Sequence, residues 1–89
     1  MVSFEAKVID ALGFHARPAS KVAKICTEFK SEIKIFNGEK SGNAKSIMNI
    51  MALGIKEGVI FRVEANGEDE EQALKAIKDL MTEEKLISL

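Results

Sequence analysis

Ser31-Glu32-Ile33-Lys34-Ile35-Phe36-Asn37-Gly38-Glu39-Lys40-Ser41-Gly42-Asn43 lies near the middle of the chain and settles how its strands must run. Ile33 and Ile35 alternate with Glu32 and Lys34, the period of two that gives a strand one buried and one wet face. Asn37-Gly38 follows, a dipeptide favoured in two-residue hairpin turns that need positive φ. The spacing predicts strands over 31–37 and 39–43, paired antiparallel. Upstream, Val2, Phe4, Ala6 and Val8 alternate with Ser3, Glu5 and Lys7 and predict another half-buried strand. A short loop over Asp10 to Phe14 leads into Ala19, Val22, Ala23, Cys26 and Phe29 at helical spacing, with Pro18 in the first turn, where a missing N–H is tolerated. Downstream, Ser46 suits the N-cap of a short, very apolar helix holding Ile47, Met48, Ile50, Met51 and Leu53, which Gly54 ends. Val59, Phe61, Val63 and Ala65 predict a fourth strand. Asp69 with Gln72 then reads as a capping box for a last helix whose stripe is Ala73, Leu74, Ile77, Leu80 and Met81, with Lys75, Lys78 and Lys85 towards its C-terminal end.

The order is βαββαβα. Short connections around a hairpin predict an α+β fold of two layers, a four-stranded antiparallel sheet with the helices on one face. At 89 residues with 46% hydrophobic content, one domain over 1–89 is expected. Such a domain buries roughly 60–65% of its unfolded surface, which leaves little depth for a substrate pocket. Function should therefore sit on the surface. Cys26 is the one cysteine, so an intrachain disulfide and a cysteine-based metal cluster are both excluded. The N-terminus lacks a basic segment leading into an apolar run, and no stretch approaches the ~20 apolar residues of a membrane span, so a cytoplasmic location and no membrane partner are expected. Residues 1–45 hold 8 basic and 5 acidic residues, and residues 46–89 hold 5 and 9. This mild asymmetry, without Trp or Tyr, argues against nucleic acid as a partner.

The one histidine, His15, stands in Gly13-Phe14-His15-Ala16-Arg17-Pro18-Ala19, at the entrance to a helix and two residues before an arginine. Free N–H groups and the helix dipole favour anions at that end, and a guanidinium binds phosphate oxygens bidentately. Neutral imidazole can attack phosphorus. The competing chemistry fares worse: one histidine with scattered carboxylates makes no metal site, and neither Ser20 nor Cys26 has the context of an activated nucleophile. Gly38 to Ser46 breaks the spacing of a P-loop. No cofactor is implied.

Gly13 to Ala19 resembles the active-site signature of the HPr family, the phosphocarriers of the bacterial phosphoenolpyruvate-dependent sugar phosphotransferase system. Lys45-Ser46-Ile47-Met48-Asn49-Ile50-Met51-Ala52-Leu53-Gly54 resembles the same family's second signature, around a regulatory serine. The resemblance covers essentially the whole chain. It implies an open-faced β-sandwich with four antiparallel strands and three helices, and a carrier that works only with partner enzymes. Phosphorylated enzyme I would give its group to Nδ1 of His15, the pros nitrogen, and an enzyme IIA domain would take it. Arg17 and the N–H groups of Ala16 and Arg17 would steady the phosphoryl oxygens, with Pro18 starting the helix. Leu12 departs from the pattern, since relatives usually carry a small polar residue three before the histidine; a polar contact from position 12 is therefore in doubt.

By composition alone Ser46 is an ordinary N-cap. The resemblance implies instead that an ATP-dependent HPr kinase/phosphorylase modifies it, and that a transcriptional regulator reads the phospho-Ser46 form. Its added charge suits a helix N-terminus, so the fold should barely change while docking to enzyme I suffers. Met48 and Met51, with Ile47, Ser20, Lys24 and Lys45, are expected to form an adaptable apolar patch rimmed by positive charge for acidic partners. A monomer is expected. The alternative from another class is a purely regulatory protein of the same fold, acting through phospho-Ser46 with no phosphohistidine; the presence of His15 argues against it. A metabolite-binding module, the third reading, would need a pocket.

Overall fold

The computed structural model describes residues 1–88. Its elements are β1 (Val2–Val8), α1 (Ala16–Cys26), β2 (Glu32–Asn37), β3 (Lys40–Asn43), α2 (Ile47–Ala52), β4 (Ile60–Asn66), α3 (Glu70–Glu83) and β5 (Ile87–Ser88). The α+β class, the antiparallel open sheet and the three helices agree with the sequence reading. The sheet, however, has five strands, ordered β3-β2-β4-β1-β5. The added strand pairs Ser88 with Lys7 and Ile87 with Val8 on the outer edge of β1, and Ile9 N–H donates to the Leu86 carbonyl at 2.8 Å. Two residues show no alternation that sequence could reveal.

Register explains the layers. β4 runs between β1 and β2, so Phe4 and Ile35 both lie opposite Val63, and Ala6 lies opposite Phe61. Ala6, Val8, Ile33, Ile35, Phe61, Val63 and Ala65 are buried on the covered face. Against them pack Val22 and Cys26 of α1, Ile50 of α2, and Ile77 and Met81 of α3, all fully buried. At roughly 1.5–3 kcal/mol per large apolar side chain, this single layer of contacts is the main stabilising term. The other face stays wet. There Arg62 stacks 4.5 Å from the centre of the Phe36 ring, its cross-strand neighbour, and pairs with Glu64 at 2.8 Å.

Three local expectations shift. The hairpin pairs Asn37 with Lys40, so its loop is Gly38-Glu39 rather than Asn37-Gly38. Gly38 has φ +62 and Glu39 does not share the positive sign, the pattern of a II′ turn with glycine first. Asn37 is held back in the strand because it lies on the covered face, where its Nδ2 donates to the Leu53 carbonyl at the end of α2 (2.8 Å). The capping box is absent as well. Asp69 is the N-cap of α3 by position, but its carboxylate accepts from Lys30 N–H (2.8 Å), Ser31 N–H (2.9 Å) and the Ser31 hydroxyl, while Glu70 accepts from Gly67 N–H at 3.1 Å. A tertiary tie to the start of β2 thus replaces the local cap. Finally, Lys85 lies beyond α3 with φ +56. Leu86 N–H reaches the Met81 carbonyl and Lys85 N–H the Thr82 carbonyl, the paired bonds of a Schellman closure that turns the chain into β5.

Candidate functional site

The loop before α1 is built to hold one side chain. Gly13 N–H donates to the Asp10 carbonyl at 3.0 Å, and Leu12 N–H donates to Asp10 Oδ1 at 2.8 Å, closing a tight turn. Gly13 then presses on the segment before β4: its φ is +64, and a Cβ there would fall 2.5 Å from the Ile55 carbonyl oxygen. Only glycine fits. Phe14 follows, its N–H on that same carbonyl at 3.0 Å and its buried ring set edge-on to Phe61, with centroids 5.3 Å apart.

With both neighbours anchored, His15 takes the N-cap position of α1 in extended backbone (φ −82, ψ −176), and its carbonyl receives Ala19 N–H at 3.1 Å. The imidazole makes no capping bond and is 31% exposed. The N–H groups of Ala16 and Arg17 find no acceptor among the described residues, and Pro18, buried in the first turn, has none to offer. Arg17 is exposed and makes no ion pair among the described residues. Two open donors and the positive end of an eleven-residue helix therefore lie directly after His15, with the exposed Arg17 in the same first turn, an arrangement that attracts a phosphoryl group's oxygens. Asp10, which the sequence reading passed over, brings Oδ2 to 4.0 Å from His15 Nε2. Its signal was the turn chemistry of an Asp three residues before a glycine.

Ser46 caps α2 as expected, and its hydroxyl oxygen accepts from the backbone N–H of Asn49. On α2, Ile50 is buried while Ile47, Met48 and Met51 are 42%, 81% and 46% exposed. Ser20 and Lys24 are exposed on α1, one turn apart on the same stripe as Ala16. Lys45, the other expected rim charge, is half-buried. Its Nζ donates to the Phe29 carbonyl at 2.9 Å, so it ties α1's exit to the start of α2. Met48 also lines a shallow hollow with Lys40 and Ser41 of β3, residues that the patch as read from sequence did not include. Leu12 is 72% exposed beside the histidine loop and gives position 12 an apolar surface. Cys26 is fully buried in the core, as read, and burial pushes its thiol up to about 12. Among the described residues no cluster could hold a metal, and no helix is long and apolar enough to cross a membrane.

The family model described as the PTS HPr component phosphorylation site matches residues 2–83. The chain belongs to the HPr family. It is 48% identical over 87 residues to the phosphocarrier protein HPr of Mycoplasma capricolum, covering 98% of both chains. A solved histidine-containing phosphocarrier protein, described in relation to the divergence of mycoplasma from Gram-positive bacteria, superimposes with a TM-score of 0.96 at 46% identity, over 99% of this chain and 100% of that one. An HPr structure from Thermoanaerobacter tengcongensis gives 0.88 at 39% identity, over 96% and 94%. Membership supplies the coarse function, a phosphocarrier of the bacterial phosphotransferase system.

Proposed function

We propose that this HPr-family chain acts as one domain over residues 1–89 that takes a phosphoryl group from phosphorylated enzyme I onto Nδ1 of His15 and passes it to an enzyme IIA domain. The observation that carries this reading is the placement of His15 at the N-cap of α1 with the Ala16 and Arg17 N–H groups open beside it. Phosphoryl transfer asks a protein mainly for positioning and charge stabilisation, and these groups supply both. The imidazole is consumed by one partner and restored by the other, so the chain is a carrier rather than an enzyme, working in the cytoplasm as a monomer.

Ser46 is the regulatory position in this reading. Phosphorylation by an HPr kinase/phosphorylase would place a charge of about −1.5 to −2 at the head of α2, beside Ile47 and Met48. The helix accommodates it, and the apolar docking patch does not. A transcriptional regulator would bind the modified form.

Intact mass after incubation with phosphoenolpyruvate and enzyme I tests the carrier role. An acid-labile gain of one phosphate that His15→Ala abolishes is expected. No adduct, with enzyme I active on another carrier, would shift the function to a regulatory module acting through Ser46.

A further inference from the structure

The Asp10 carboxylate is engaged on one side and open on the other. Oδ1 accepts from Leu12 N–H at 2.8 Å, which fixes the carboxylate's orientation, and Oδ2 then points to His15 Nε2 at 4.0 Å. Both side chains are sheltered, 24% and 31% exposed, so the contact is only partly screened by solvent. Among the described residues no other carboxylate lies within ion-pair distance of the imidazole. At 4.0 Å the carboxylate oxygen is the nearest anionic group to Nε2 among the described residues, close enough to act on the ring electrostatically and beyond hydrogen-bond distance.

We infer that Asp10 is a positioning residue for phosphoryl transfer, holding the proton of neutral His15 on Nε2 so that the Nδ1 lone pair faces the incoming phosphorus. The inference rests on the reading of His15 as the residue phosphorylated at Nδ1. A carboxylate opposite one ring nitrogen favours the tautomer that carries its proton there, and so leaves the other nitrogen basic. In the transfer, Nδ1 forms the new N–P bond while the bond from phosphorus to the donor breaks and its electron pair leaves with the donor. Nε2 keeps its proton throughout. The ring becomes cationic as the N–P bond forms, and Asp10 offsets that charge from the side away from the phosphoryl oxygens. The same contact serves in both directions, since passing the group on reverses the step.

Asp10→Asn tests this, because its amide oxygen can still accept from Leu12 N–H while the amide N–H now faces Nε2 as a donor. Asp10→Ser, which also retains an acceptor for the turn, is the second variant in case the first disturbs the loop. Nitrogen NMR of His15 in the unphosphorylated protein, at about pH 8.5, well above the ordinary imidazole range, reports the tautomer. The expected results are a protonated Nε2 in the wild type, a shift towards protonated Nδ1 in Asp10→Asn, and an approximately tenfold slower phosphorylation by enzyme I and phosphoenolpyruvate in both variants. A phosphorylated wild type alongside variants with an unchanged tautomer or an unchanged rate overturns the role of Asp10 alone. A wild type that takes no phosphate from active enzyme I overturns the reading of His15, and this inference with it.

Discussion

Asn49 donates to the Ser46 hydroxyl oxygen twice, from its backbone N–H at 3.2 Å and from Nδ2 at 2.9 Å. The cap of α2 is thus a two-pronged contact between residues three apart, and the same amide's oxygen reaches back to Asn43 N–H at 3.4 Å. Ser46→Ala removes both bonds and should lower stability by about 1 kcal/mol in urea unfolding. Asn49→Ala, which leaves the backbone donor in place, should cost about half as much. Equal losses would mean that the side-chain prong carries the cap.

Phe14 couples the core to the histidine loop. Removing its ring from the edge-on contact with Phe61 leaves a cavity, so Phe14→Ala should cost about 3–5 kcal/mol. Phe14→Leu fills most of the space and should cost about 1–2 kcal/mol. The leucine variant should fold yet accept phosphoryl groups more slowly than wild type, because His15 loses its rigid neighbour. A normal rate would show that Gly13 and Ile55 position the loop without Phe14.

Asp69 predicts where acid weakens the fold. The Ser31 hydroxyl, then the Lys30 N–H, favour the charged carboxylate and hold it below its usual value of 3.8. A carboxyl lowered on folding stabilises above its unfolded value, and that contribution disappears as pH falls through the lower folded one. Wild type should therefore lose more stability than Asp69→Asn between about pH 4 and pH 2, measured by urea unfolding across that window. Parallel losses in the two proteins would assign acid sensitivity to other carboxylates, Glu70 first, which Gly67 N–H and the terminal amine also lower.

Met48 is 81% exposed on α2 and Ile47 lies next to it, so a charge there should disturb docking without disturbing the core. Met48→Glu should weaken binding to both enzyme I and enzyme IIA by about tenfold or more, with the melting temperature unchanged. Ser46→Asp should likewise slow phosphoryl acceptance while the fold is retained. Calorimetric titration against each partner, with the rate measured alongside, reads both; wild-type affinity in Met48→Glu would remove α2 from the docking surface.

Cys26 should be inert in the native state. With its thiol pushed to about 12 by burial, against a weaker opposite pull from Lys45, the thiolate is on the order of one part in ten thousand at pH 8. A thiol reagent should react at the rate of unfolding in buffer and at once in urea. Fast native labelling would mean that the α1 face opens locally.

Much of this molecule could be read from short-range pattern. Alternation at 2–8 and 59–65 located strands because a half-buried strand must present apolar groups every second residue, and Ser46 declared a cap because its partners lie within one turn. His15 next to Arg17 and Pro18 was visible for the same reason, since a helix N-terminus is a local object. Ambiguity entered where a side chain had two possible partners. Asn37 reads both as the end of a strand over 31–37 and as the first residue of an Asn-Gly turn, and the carbonyl of Leu53, sixteen residues away, holds it in the strand. Asp69 looked like a helix cap until Lys30 and Ser31, nearly forty residues back, competed for its oxygens. Lys45 reads as a rim charge of the α2 patch, and its bond to the Phe29 carbonyl is a tertiary contact that no local pattern records.

The order of the first seven elements, the covered faces and the histidine at the head of α1 therefore follow from local chemistry, which acts within a turn or a strand and leaves a repeating mark in the chain. The fifth strand, the Schellman exit at Lys85, the tie from Asp69 to β2 and the hollow shared by Met48 and Lys40 were decided by folding. Each depends on which distant donor, acceptor or open sheet edge arrives first at a group that several partners could satisfy. No periodicity records that competition.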